Sequence, residues 1–399
     1  MSDDDPSGIG TYVQAGATFG YAMLWTMPLL IFFMVPIQEL SGRLGRATGF
    51  GIAGNIRREY SAWVSWTILP LIAFNNLVTL GADLAGMGAG AQLLFGGNIL
   101  FWVVSIAAIS VVLLIVLHHR PYVRFLKWLT LSLLCYVAVP FTTNVHWREA
   151  VMATILPRLQ TGDDYLVLLV AVIGTTISPY MFFWQAEEEV EDINEKRHAK
   201  AAKDSPLAWR HMARIRTDTV AGMVISNAIG YFIILTAGAT LFRHGVRSVQ
   251  TAAEAAKALE PLAGGGAKWL FSVGIIGSGL LVLPVLAGSA AYAIGEAFGW
   301  SVGLDRPWHR ARAFYSVVIV GVAIAAMLNL LRINPIQALV WAGVVNGLVA
   351  TPVLILLIVL TRRRDLMGNF AATRVLQIGA WATCILMFVT NVAMIVTVI

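Results

Sequence analysis

Charge is scarce in this chain. Asp, Glu, Lys and Arg make up 13% of its 399 residues, about half the roughly 25% of an ordinary soluble domain. Cysteine is scarcer still. Cys135 and Cys384 both sit inside apolar runs, which argues against a disulfide framework or a thiolate metal site. Long polar stretches are missing too: the longest runs from about Glu187 to Arg216, too short for a soluble domain. The opening, Met1-Ser2 followed by three aspartates, lacks the basic and apolar pattern of a signal peptide.

Apolar surface, by contrast, is abundant. Hydrophobic residues reach 58% before the 36 glycines are counted, against roughly 45–50% with glycine included in a soluble domain. A soluble core of this size could not hide that much, so the chain reads as an all-α polytopic membrane protein. Ten runs approach the roughly 20 apolar residues that a spanning helix needs. They are about 21–42, 62–90, 99–117, 125–141, 165–189, 217–241, 267–298, 311–331, 336–361 and 372–399, and a half-length run at 9–19 precedes them. We number these segments 1 to 11, counting the half-length run first. They are too long for tilted barrel strands.

Basic residues orient the segments. Twenty-one of the 28 follow even-numbered segments: Arg43, Arg46, Arg57 and Arg58; Arg120, Arg124 and Lys127; seven between Lys196 and Arg216; Arg306, Arg310 and Arg312; and Arg362, Arg363, Arg364 and Arg374. The even loops are therefore expected in the cytoplasm, with the N-terminus inside and the C-terminus outside, in a plasma or bacterial inner membrane. The net charge of +6 is accounted for by this bias, and nothing supports a nucleic-acid partner.

Polar interruptions of apolar runs are costly and informative. Segment 1 turns apolar only after Asp3-Asp4-Asp5-Pro6-Ser7-Gly8, and segment 6 reads Gly174-Thr175-Thr176-Ile177-Ser178-Pro179-Tyr180-Met181. Proline removes a backbone donor and disfavours helix at the preceding residue. Both places free backbone groups, which at membrane depth are tolerated where they line a cavity or bind something. The two breaks lie five segments apart, the spacing of an inverted five-plus-five repeat, and paired broken helices of this kind point to a transporter's substrate site.

At these residues the chain resembles the Nramp family of divalent-metal transporters, in a divergent bacterial branch. The family has Asp-Pro-Gly-Asn in its first helix and Met-Pro-His-Asn in its sixth; Asp5-Pro6-Ser7-Gly8 and Ser178-Pro179-Tyr180-Met181 look like their counterparts. Gly81-Ala82-Asp83-Leu84-Ala85 in segment 3 is similar to the family's Thr-Asp-Leu-Ala-Glu region. The resemblance implies a LeuT-like fold in a single transmembrane domain, 1–399, with repeats at about 1–141 and 164–361 and an extra helix at about 372–399. It implies Asp5, Ser178 and Gly8 at the metal site, with backbone carbonyls from Ser2 and Thr175. Pro6 and Pro179 mark the breaks. The metal is cargo, and no cofactor is expected.

The departures from the family pattern alter the expected chemistry. Gly8 replaces an asparagine ligand and Ser178 a methionine, leaving an all-oxygen site that should discriminate less against Mg²⁺ and Ca²⁺. Met181, one turn on, is the nearest sulfur. Protons are the family's second transported species. Tyr180 stands in for the histidine and Gly86 for a glutamate, and a tyrosine does not cycle protons near neutrality. Coupling should be weak, absent or rerouted, with Asp83, Asp218, Arg310 and Arg312 as the remaining candidates. The family's first helix also has an apolar half ahead of its break. Either that half is absent here, with impaired transport, or the recorded start is internal and about 15–20 residues are missing.

Plainer explanations exist for each feature. Asp5-Pro6 is an ordinary capped helix start, Ser178-Pro179 a kink, and Asp83 a buried, hydrogen-bonded aspartate. Asn75, Asn76 and Asn346 suit interhelical hydrogen bonds. The acidic run Glu187, Glu188, Glu189, Glu191 and Asp192 suits a solvated helix end, or more sharply a cation vestibule. His118 and His119 suit an interface, and Gly86, Gly88, Gly90, Gly274, Gly277 and Gly279 suit close helix packing. Divalent metal transport, in symport or facilitated, is the leading function. The alternatives are a LeuT-fold carrier of an organic substrate such as an amino acid, which Asp5 would repel, and a non-transporting metal sensor, for which no relay domain exists. No His-Glu-x-x-His or Gly-x-Ser-x-Gly supports an enzyme.

Overall fold

The computed structural model describes residues 5–116, 129–157, 159–160, 162–195, 206–304 and 306–398, and these form helices joined by turns and loops, without strands. The helices are α1 (Pro6–Phe19), α2 (Thr26–Thr48), α3 (Ile52–Glu59), α4 (Ala62–Phe95), α5 (Ile99–Val116), α6 (Leu134–Thr142), α7 (Trp147–Ile155), α8 (Asp163–Thr176), α9 (Pro179–Glu195), α10 (Pro206–Ala237), α11 (Ala267–Phe298), α12 (Arg312–Leu328), α13 (Pro335–Arg362) and α14 (Arg374–Val398). Among the described residues, nine helical spans are long and apolar enough to cross a membrane, with α8 and α9 together forming one of them.

Local sequence explains the boundaries. Asp5 caps α1 and Pro6 occupies its first turn, where a missing N–H costs nothing. α2 stops at Gly49, in the left-handed region at φ 74°, the usual helix-ending conformation for glycine. Segment 6 divides as its proline predicts: α8 ends at Thr176 and α9 begins on Pro179. Three features differ from the sequence reading. Residues 21–25 form turns and α2 starts at Thr26. α3, α7 and the short helices within 252–263 are below the length of a span and leave no periodic signal that a span search detects. The described part of segment 5 starts with a 3₁₀ turn, Leu129–Leu133, ahead of α6. His118, His119 and the basic residues 120, 124 and 127 lie outside the described residues.

Burial sorts the helices into layers. The 163–193 span is 89% buried, whereas Ile99–Val116 and Arg312–Leu331 are only 28% buried. α8 and α9 therefore run through the centre, and α5 and α12 present Phe101, Val104, Val320 and Ile324 outward, as a lipid-facing belt requires. Two seams in the centre depend on glycine. A Cβ at Gly174 of α8 would lie 2.1 Å from the Gly343 carbonyl oxygen and 2.4 Å from the Gly347 nitrogen, both in α13. A Cβ at Gly45 of α2 would lie 2.1 Å from the Ala186 carbonyl oxygen of α9. Small residues let membrane helices approach this closely, and here the helices meet backbone to backbone.

Candidate metal centre

The first turn of α1 leaves donors to be satisfied, and two carboxylates take them. Asp5 is extended at φ −77°, ψ 166°, and its Oδ1 accepts the Gly8 N–H at 2.6 Å. Oδ2 of Asp5 accepts the Ser7 hydroxyl at 2.7 Å and the Tyr180 hydroxyl at 2.8 Å. The Ser7 N–H donates elsewhere, to Oδ1 of Asp83 in α4 at 3.0 Å. Among the described residues, the buried Oδ2 of Asp83 has no hydrogen-bond partner.

The break in segment 6 closes on the same point. The Ser178 hydroxyl donates to the carbonyls of Thr175, at 2.6 Å, and Gly174, at 2.9 Å, so it caps the end of α8 with its own side chain. The Thr175 and Ser7 hydroxyls lie 3.1 Å apart. Because the Ser7 proton is committed to Asp5, Thr175 is the donor. Tyr12 likewise donates to Thr176 at 2.8 Å, since the Thr176 proton goes to the Val172 carbonyl.

The result is a knot of oxygens where the N-terminal ends of α1 and α9 meet the C-terminal end of α8. Asp5, Ser7, Asp83, Thr175, Ser178 and Tyr180 are each no more than 1% exposed. Among the described residues no basic side chain bonds to either carboxylate, and no three His, Cys, Asp or Glu side chains converge as a metal cluster. Chemically this is a hard, hydroxyl-rich site with two carboxyl groups.

The structure thus gathers Asp5, Gly8, Thr175, Ser178, Tyr180 and Asp83, with Pro6 and Pro179 opening their helices. Gly8 contributes its backbone alone. Met181 is buried, and its N–H donates to the Ser178 carbonyl at 3.2 Å. Ser2 lies outside the described residues. Ser7, passed over in the sequence because it falls between two motif positions, bridges both carboxylates.

Asp218, Arg310 and Arg312 are not brought to Asp83. Asp83 lies about 30 Å of helix rise beyond Ala62, at the level where Asn329 donates to the Gly81 carbonyl at 3.1 Å. Helix α12 arrives there about 20 Å after Arg312, and both arginines are exposed at its start. Asp218 is exposed on α10 and instead lines a cavity of about 390 Å³ with Glu187, Glu189, Glu191, Asp192 and Arg214.

That acidic end is not the solvated helix end that its sequence suggests. Glu187 is 2% exposed and Glu189 5%. Arg46 lies 2.7 Å from Asp192 and 3.5 Å from Glu189, and Glu296 holds the first turn of α3 through the Gly51 and Gly54 N–H groups. The asparagines act as interhelical ties: Asn75 donates to Asn346 at 2.8 Å and Asn76 to Ser289 at 2.7 Å.

A family model described as "Natural resistance-associated macrophage protein-like", Nramp, matches residues 1–397. The chain belongs to the Nramp family. Curated relatives include the divalent metal cation transporters MntH of Acidiphilium cryptum, 26% identical with 97% of this chain and 86% of the relative covered, and of Klebsiella pneumoniae, 26% identical with 94% and 87% covered. A manganese transporter of Eremococcus coleocola has a similar structure, with a TM-score of 0.76 at 18% identity, covering 98% of this chain and 83% of that one. The inward-facing structure of Mhp1 matches with a TM-score of 0.52 at 13% identity, over 97% and 87%. The architecture is a LeuT-like fold of broken helices.

Proposed function

We propose that this Nramp protein carries divalent metal cations across a bilayer by alternating access around the start of α1 and the α8–α9 break. The observation that carries the reading is the Asp5 carboxyl group, wholly buried and surrounded by hydroxyls where the start of α1 meets the α8–α9 break. Burying an uncompensated carboxylate is expensive, and a divalent cation supplies the missing charge. The divalent metal cation transporters among its curated relatives support the same cargo. The proposed arrangement is one transmembrane domain with the repeat halves given above, in a plasma or bacterial inner membrane, the arginine-rich loops facing the cytoplasm.

The donors Asp5, Thr175, Ser178 and Tyr180 are oxygens. Hard ligands of this kind suit Mn²⁺, Fe²⁺ and Mg²⁺ without the soft-ligand preference that a thioether brings. The test is uptake of Mn²⁺, Mg²⁺ and Ca²⁺ into proteoliposomes containing a pH-sensitive dye. The expected result is uptake of both Mn²⁺ and Mg²⁺ with little internal acidification, since Tyr180 cannot shuttle protons near neutrality. Uptake of no divalent ion, or of an amino acid instead, overturns the reading. A strong preference for Mn²⁺ over Mg²⁺ overturns the selectivity part.

Restoring sulfur should restore discrimination. Ser178→Met is expected to raise the Cd²⁺ to Mg²⁺ uptake ratio on the order of tenfold, because thioethers favour soft cations. Competition of Cd²⁺ against Mg²⁺ uptake measures it; an unchanged ratio would mean that position 178 does not touch the ion.

A further inference from the structure

We propose that Asp83 is a second direct ligand for the transported cation, in a two-carboxylate site with Asp5. The inference rests on the transport reading above and names the group that completes its site. Its starting point is an unequal use of lone pairs. A carboxylate has about four acceptor sites. Asp5 spends three of them, on the Gly8 N–H and the hydroxyls of Ser7 and Tyr180. Asp83 spends one, on the Ser7 N–H, and its buried Oδ2 has no hydrogen-bond partner among the described residues. Of the two aspartates, Asp83 therefore has more coordinating capacity to offer.

Ser7 fixes the two groups relative to each other. One residue donates its backbone N–H to Asp83 at 3.0 Å and its side-chain O–H to Asp5 at 2.7 Å, so both carboxylates reach the same turn of α1 from different helices. The positive end of α1 offers a partial charge of roughly +0.5, well short of what two ionised carboxylates need. Among the described residues no lysine, arginine or histidine bonds to either group. A single divalent cation balances the pair, and with the Thr175, Ser178 and Tyr180 oxygens nearby it meets only the hard donors that Mg²⁺ and Mn²⁺ accept. Asp83 is thereby a specificity residue: it raises the charge of the site and selects against monovalent ions.

The test is equilibrium binding of Mn²⁺ and of Mg²⁺ to the full chain in detergent or nanodiscs, by calorimetry at one fixed pH. Asp83→Asn keeps an oxygen for the Ser7 N–H and removes the charge, and it is expected to weaken both ions on the order of a hundredfold. Asp83→Glu keeps the charge and should stay within about tenfold of the parent, which separates loss of a ligand from damage to the fold. If Asp83→Asn binds as tightly as the parent, Asp83 is not a ligand. If its only defect lies in proton movement during uptake, Asp83 is a proton carrier and the proposal is overturned. If the parent itself binds neither ion, the transport reading fails first, and this inference with it.

Discussion

Asp5→Ala is expected to bring divalent-cation uptake down to that of empty vesicles, a loss of at least about a hundredfold. Two roles of the side chain are removed at once. As the N-cap of α1, the carboxylate satisfies the Gly8 N–H, and losing such a cap costs about 1 kcal/mol. Its other oxygen holds the Ser7 and Tyr180 hydroxyls, and each buried donor left without a partner adds roughly 1–3 kcal/mol. Asp5→Asn separates the roles. It keeps an acceptor for the Gly8 N–H and loses the negative charge. Stability between those of the parent and Asp5→Ala, with uptake as low as in Asp5→Ala, is the expected outcome. If Asp5→Ala carries every ion as well as the parent, the metal centre is wrongly placed.

Gly174→Ala should be among the most damaging single methyl additions at the described glycines. The added carbon would lie 2.1 Å from the Gly343 oxygen and 2.4 Å from the Gly347 nitrogen. Both are backbone atoms, so no rotamer change relieves the clash and α8 must leave α13. Ordinary overpacking costs roughly 1–3 kcal/mol, because side chains can adjust; here the expected cost exceeds that range. Thr175 would shift with α8, breaking its contact with Ser7. Gly222→Ala on α10, where nothing lies within 4 Å, is the matched control and should be neutral or stabilising by up to about 1 kcal/mol. Monodisperse yield and melting temperature in detergent check both. Equal behaviour of the two variants would mean that the α8–α13 seam yields readily.

The break at Pro179 and the helix start at Pro6 were legible in the sequence because proline acts on its own backbone and that of its neighbour. The spans were legible because lipid imposes length and apolarity on each helix separately. What escaped depends on two elements at once. That Thr175 reaches Ser7 through its hydroxyl, while its carbonyl is covered by Ser178, follows from how α1 sits against α8, and no window of sequence reports it. The burial of Glu187 escaped similarly, because the partners of α9 come from α3 and α11. Arg310 and Arg312 were misjudged for a related reason: nearness to the start of a helix says nothing about the depth at which that helix passes Asp83.

The glycine seams also divide the molecule mechanically. Through Gly174, α8 is fastened to α13; through Gly45, and through the Ser41 hydroxyl on the Phe182 carbonyl, α9 is fastened to α2. The halves of one broken helix are therefore bolted to different walls. Any rocking of one wall against the other must be taken up at Ile177 and Ser178, the two residues between them. Ser178, with its hydroxyl on two carbonyls of α8 and its peptide bond to Pro179, serves as the pin of that joint. The Tyr180–Asp5 bond ties α9 to the start of α1 right beside that joint.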